Sequence, residues 1–214
     1  MNSLNGPRHG PCVGIVLCGG GSMRMGRDKA MLPFRDGTML KSVVDAVAAV
    51  TGRVVVVAAP AQILPNLSPT VTVLRDPVPD VGPLAGLLTA MQTIGESAEI
   101  VTLCGCDTPL LRPELLRRVI DRLDVDHEAA LPVIDDVPQP LAGVYRTSLL
   151  PTVRQLRNEE RRSLRSLLDR CRWQGLKKAE FADVDPDLES LRNINTPEDY
   201  DGLSGGKSEE SASP

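Results

Sequence analysis

The stretch Val13-Gly14-Ile15-Val16-Leu17-Cys18-Gly19-Gly20-Gly21-Ser22-Met23-Arg24-Met25-Gly26-Arg27-Asp28-Lys29 decides the fold. Its first five residues form an apolar, β-branched run that passes directly into three glycines, the pattern of a buried strand entering a glycine-rich turn. Glycines let the backbone bend sharply and bring its N–H groups close to a ligand. Arg24 and Lys29 place two cations beside that cradle. Backbone donors plus fixed positive charge suit a triphosphate, so the chain opens on a candidate nucleotide-phosphate site.

Spacing separates this loop from two better-known ones. Gly21 and Gly26 have the separation of a P-loop, but Arg27-Asp28 follows where Lys-Ser/Thr is required. Gly19-Gly20-Gly21 can open a dinucleotide fingerprint, yet Arg24 occupies the third glycine position, and no acidic residue follows a clear second strand at the proper distance.

The 214 residues suit one compact domain with a full core. Net charge of −4 provides no general basic field for nucleic acid, and aromatics at 2% leave few faces on which unpaired bases could stack. Neither nucleic acid nor membrane is therefore an expected partner. The five cysteines, odd in number and irregularly placed, do not read as a disulfide framework. No signal-peptide core or uninterrupted apolar span stands out, so the cytoplasm is the expected location. Residues 1–11 and 204–214 read as polar tails around a single domain at 12–203.

Outward from the loop, strands and helices alternate. Residues 13–17, 53–59, 71–74 and 99–104 read as strands, and 38–50, 84–94 and 113–123 as helices. The four valines at 54–57 indicate a strand buried on both faces. This is an α/β fold with a mostly parallel sheet and helices on both sides. Beyond about His127 the rhythm changes. Strands are expected at 129–134 and 141–145, helices at 148–156 and 163–171, and a short strand at 181–184. A final helix opens with Thr196 as N-cap and Pro197 at its first position.

In open parallel sheets, ligands bind beyond the carboxyl ends of the strands. The glycine loop and Asp107 both follow strand ends, so they should share one edge. A carboxylate there can hold Mg²⁺ against a phosphate or serve as an ordinary turn residue, and its combination with the loop favours the metal. Cys104 and Cys106, without a second cysteine pair, read as packing residues. His127, among acidic residues, reads as solvated. No nucleophile–base pair is evident, which suits phosphoryl or nucleotidyl transfer, where positioning and charge stabilisation dominate. Gly82-Pro83-Leu84-Ala85-Gly86 enters a helix; its glycines could admit a base or sugar, or Gly86 could serve close packing. Asp76 and Asp80 precede it, and Asp76 could either read guanine through paired hydrogen bonds or be a solvated loop carboxylate.

Taken together, these segments resemble the molybdenum cofactor guanylyltransferases, within the nucleotidyltransferases of Rossmann-like, glycosyltransferase-A-type, three-layer fold. The match includes the opening strand and loop, Gly82-Pro83-Leu84-Ala85-Gly86, Cys106-Asp107-Thr108-Pro109, Gln139-Pro140-Leu141-Ala142-Gly143-Val144-Tyr145-Arg146 and Asn193-Ile194-Asn195-Thr196-Pro197-Glu198-Asp199. It spans about residues 13–202. The resemblance implies transfer of GMP from GTP to molybdenum–molybdopterin with release of pyrophosphate. It also implies transient contact of the product-bearing protein with molybdoenzymes or their chaperones. Carried over by position, Leu17, Cys18, Gly19, Gly20 and Gly82 would line the nucleotide. Lys29 would bind its phosphates, Asp76 would help read it, Asp107 would hold Mg²⁺, and Arg24 would stabilise departing pyrophosphate. Asn193 and Asn195 would face the pterin substrate or a metal-bound water, with Arg161 and Arg162 as further candidates for its anionic groups.

Cys18 stands where the family usually has alanine, and Ala58-Ala59 where members often supply an asparagine. The double glycine after Cys18 favours GTP over the CTP of the related cytidylyltransferases. A nucleotidyltransferase acting on another small molecule, or a non-catalytic cofactor-delivery protein, are the remaining readings.

Overall fold

The computed structural model describes residues 10–19, 28–76 and 82–204. Gly20, Arg24 and Asp80 lie outside the described residues, as do most of both expected tails. Among the described residues the central sheet has eight strands: β1 (Cys12–Leu17), β4 (Val54–Ala58), β5 (Val71–Arg75), β6 (Ile100–Gly105), β7 (Ala129–Ile134), β8 (Val137–Pro138), β9 (Ala142–Arg146) and β10 (Trp173–Lys177). Their spatial order is β10-β7-β9-β6-β1-β4-β5, with β8 paired to β7. β1 pairs in parallel with both β4 and β6, and β5 extends that parallel block. β9 runs antiparallel to β6 and β7, so the sheet is mixed but mostly parallel. A separate hairpin joins β2 (Pro33–Phe34) to β3 (Gly37–Thr38).

The valine run in β4 is buried for the reason its composition suggests. Val54, Val56 and Ala58 enter one core and Val55 and Val57 the other. β1 divides likewise, with Val13 and Ile15 on one face and Val16 on the opposite one. Helices α1 (Met39–Thr51) and α3 (Pro113–Arg122) cover the first face, while α2 (Pro83–Ile94), α4 (Leu150–Asn158) and α5 (Arg165–Leu168) cover the second. Thr38 caps α1 by accepting a hydrogen bond from the Lys41 backbone N–H at 3.2 Å. Gly82 precedes α2 at φ +83°, a left-handed conformation suited to glycine, with Pro83 starting the helix.

Two C-terminal expectations are corrected. The helix expected at 163–171 is only one turn, α5. Leu164, Leu167 and Leu168 bury its apolar side, while the Ser163 hydroxyl accepts from the Arg165 N–H at 3.1 Å at its entry. The chain then leaves to pair with the sheet edge, where the Arg172 carbonyl accepts from Glu128 N–H at 2.7 Å. The strand expected at 181–184 lies earlier, as β10. Residues Lys178–Phe181 instead form a 3-10 turn that buries Phe181 beneath α3. Trp173-Gln174-Gly175-Leu176-Lys177 lacks the alternation that marks a half-buried strand, and its neighbour β7 recruits it.

The final helix α6 (Pro197–Ser204) begins as expected. Thr196 Oγ1 accepts from Asp199 N–H at 3.1 Å, and Asp199 Oδ2 accepts from Thr196 N–H at 2.9 Å. A third apolar cluster of Leu32, Met39 and Ile194 joins the hairpin to this segment. That cluster brings the distant Asn193 and Asn195 to the glycine-loop end of the sheet.

Candidate active site

The carboxyl ends of β1, β4, β5 and β6 form one edge. Pairing continues one residue past those ends: Cys18 N–H donates to Val57 O at 2.9 Å, Asp76 N–H to Ala58 O at 2.8 Å and Cys106 N–H to Leu17 O at 3.0 Å. Cys18, Ala59, Asp76 and Asp107 are therefore carried to the same side of the molecule. Gly19 approaches the Ala59 backbone so closely that an added Cβ would lie 2.9 Å from its nitrogen. Gly105 leaves room in the same way for the Asp107 carboxylate, which would meet a Cβ there at 2.5 Å.

Lys29 is buried, and its ammonium donates to Asn195 Oδ1 at 2.6 Å. The partner is a neutral amide, which satisfies one donor without cancelling the charge. Burial pushes the Asp107 carboxyl above the ordinary aspartate range, and the nearby Lys29 charge pulls it partly back. Asp107 O also accepts from Ile194 N–H at 2.8 Å. The same contact that fixes Asp107 therefore anchors the segment bearing Asn193 and Asn195.

Asp107 also lines a cavity of about 250 Å³, together with Thr108, Gln139, Leu141, Ser163 and Asn193 among others. The two asparagines thus take different places, Asn193 at the cavity and Asn195 at Lys29. Arg162 precedes the cavity-lining Ser163, and its carbonyl accepts from Leu84 N–H at 3.2 Å, fixing this loop against the start of α2. Its side chain and that of Arg161 are exposed. Gly82 packs against the Arg162 backbone, and Gly86 packs beneath Leu17, where a Cβ would meet a leucine methyl at 2.8 Å. Of the two roles open for Gly86, close packing is the one its contacts support.

Cys18 is buried, with its thiol pushed up to about 12, chiefly by burial and further by the Asp28 charge. Cys104 is likewise pushed up to about 12 by burial, and Cys106 is raised for the same main reason. All three therefore remain neutral thiols near pH 7, as packing residues should. His127 binds Asp124 through Nδ1 at 2.7 Å, far from this edge in the fold. Among the described residues no group of three or more His, Cys, Asp or Glu could enclose a metal. Asp107 instead offers hard oxygen donors in a partly dry setting, the donor chemistry of a divalent cation that takes its other ligands from phosphate and water.

Sequence reasoning missed Gln62. It stands in the loop after β4, where its side-chain amide contacts Cys18, Asp28 and Ala59. Its place just after the valine-rich strand β4, at the carboxyl edge of the sheet, is the signal that could have found it.

Residues 14–176 match the model for the MobA-like NTP transferase domain. The chain belongs to the MobA-like NTP transferase family. As a nucleotidyltransferase of this family, it is 35% identical over 195 residues to a Mycobacterium avium protein named "Probable molybdenum cofactor guanylyltransferase", covering 89% of this chain and 94% of that one. Its fold is similar to molybdopterin-guanine dinucleotide biosynthesis protein A from Archaeoglobus fulgidus, with a TM-score of 0.74 at 21% identity, covering 90% of this chain and 97% of that one. It is also similar in fold to the manganese complex of Rv0371c from Mycobacterium tuberculosis, with a TM-score of 0.65 at 19% identity, covering 92% and 99% of the two chains. The α/β nucleotidyltransferase fold expected for this transferase is therefore the one observed.

Proposed function

We propose that this transferase moves GMP from GTP to molybdenum–molybdopterin, forming molybdopterin guanine dinucleotide and pyrophosphate. The carrying observation is that Asp107 feels the charge of the buried Lys29 and also lines the 250 Å³ cavity. A nucleotide on the Lys29 side and an acceptor in the cavity would meet at that carboxylate. Leu17, Cys18, Gly19 and Gly20 supply close backbone approach to the nucleotide, Gly82 shapes its far wall, and Asp76 reads its base. Lys29 holds the phosphates, and Arg24 stabilises the charge on departing pyrophosphate. Asn193 faces the acceptor, while Asn195 orients Lys29. A phosphate oxygen of molybdopterin attacks the α-phosphorus in line. One P–O bond forms as the bond to the β-phosphate bridging oxygen breaks, and the electron pair leaves with pyrophosphate. Asp107 and the phosphates would hold Mg²⁺, which when bound neutralises charge on the reacting phosphate. No protein nucleophile is required, in agreement with the neutral thiols. Residues 12–203 would act as one catalytic unit in the cytoplasm, with transient delivery of product to molybdoenzymes or their chaperones. Among the described residues no helix is long and apolar enough to cross a membrane.

Pyrophosphate release is measured with molybdenum–molybdopterin and Mg²⁺, comparing GTP, CTP, ATP and UTP. Release with GTP alone is expected. A preference for CTP would overturn the guanine assignment. Failure of folded protein with every nucleotide would overturn transfer to this acceptor.

A further inference from the structure

The Gln62 amide saturates its hydrogen-bonding capacity at the nucleotide edge. Its Nε2 donates to Cys18 O and to Asp28 Oδ1, both at 2.9 Å. Its Oε1 accepts from Ala59 N–H at 3.1 Å and lies 3.7 Å from the Cys18 thiol donor. Two donors and two acceptor positions are all that a primary amide provides. The loop carrying Gln62 is itself held, because Arg75 donates to Gln62 O at 2.6 Å and to Ala59 O at 3.0 Å. A single side chain thus ties the exit of β1 to Asp28, the residue before Lys29.

We infer that Gln62 is a positioning residue for the triphosphate, acting through Asp28 to aim Lys29. This rests on the reading of the edge as a GTP site. Asp28 Oδ1 also accepts from Ala30 N–H at 3.0 Å, so the carboxylate that Gln62 grips caps the 3-10 turn containing Lys29. Asn195 holds the far end of Lys29 at its ammonium. The lysine is therefore set at both ends by neutral amides, Gln62 through its turn and Asn195 directly. Neither amide supplies a counter-charge to Lys29. A carboxylate in place of Gln62 would lose both donors and face Asp28 with like charge.

The test uses the full chain, with GTP affinity by calorimetry and steady-state kinetics with molybdenum–molybdopterin and Mg²⁺. Gln62→Met keeps the side-chain length without its polar atoms. It should raise KM and Kd for GTP about tenfold, with KM for the acceptor within about twofold of wild type. Gln62→Glu, the same shape and the control should the methionine variant fail to fold, should weaken GTP further. Unchanged GTP binding in Gln62→Met or Gln62→Glu, or equal weakening of GTP and acceptor, would overturn the inference while leaving guanylyl transfer intact. Should wild type prefer CTP and Gln62→Met weaken that nucleotide, the guanine reading fails and the role of Gln62 stands.

Discussion

The two ends of the sheet treat charge in opposite ways. At the amino end of β6, Arg146 donates to Glu99 Oε1 at 2.8 Å, to His127 O at 3.0 Å and to Asp124 O at 2.9 Å. Glu99 Oε2 accepts from Gly10 N–H at 2.9 Å. Cation, carboxylate and carbonyls there satisfy one another. At the carboxyl end, Lys29 and Asp28 are held by the amides of Asn195 and Gln62, and Asp107 sits in a setting that disfavours its charge. Pairing opposite charges favours the fold, whereas holding charges with neutral groups keeps them responsive to a ligand. The same sheet thus neutralises charge at one end and holds it with neutral groups at the end proposed for chemistry.

The sharpest challenge to that contrast is Asp107→Asn, which should reduce turnover about 10³-fold or more if the carboxylate holds the metal. Its stability should move the other way. Because the folded-state pKa is raised, folding retains the proton that the unfolded chain releases, and stability falls as pH rises from the unfolded value through the folded one. The asparagine variant should therefore match or exceed wild type in thermal unfolding at neutral pH. A lower midpoint would mean that the charge supports the fold and would erase the contrast.

Lys29→Met should follow in size, lowering kcat/KM for GTP about 10²-fold with little change in acceptor KM. A loss confined to the acceptor would move Lys29 to the other substrate. At the opposite end, Arg146→Ala should leave both KM values unchanged and cost about 1–2 kcal/mol in denaturant unfolding, mainly through carbonyls deprived of their donor. An altered GTP KM in that variant would show the two ends to be coupled.

Much of this was legible in order along the chain. The β1 run, the valines of β4 and the cap of α6 declare themselves because each answers to a local rule of burial or capping. Asp107 was legible because a strand end leads directly into it. Gln62 was not, since its partners Cys18 and Asp28 are distant in sequence and its own neighbourhood carries no motif. Asn193 and Asn195 were legible as candidates but not as a divided pair, because the separation depends on Ile194 being buried between them against the hairpin cluster. β10 was hidden for a related reason, as an edge strand takes its conformation from the neighbour that recruits it.

The sequence by itself determined the α/β class, the buried parallel strands and the edge on which the candidate site residues gather, because periodicity and strand-end position are local properties. Only the tertiary structure decided that Lys29 is held by Asn195, that Asp107 borders a cavity and that Gln62 joins Cys18 to Asp28. Those contacts form when segments far apart in the chain pack together, and the hydrogen-bond demands of the buried polar groups then select the partner within reach.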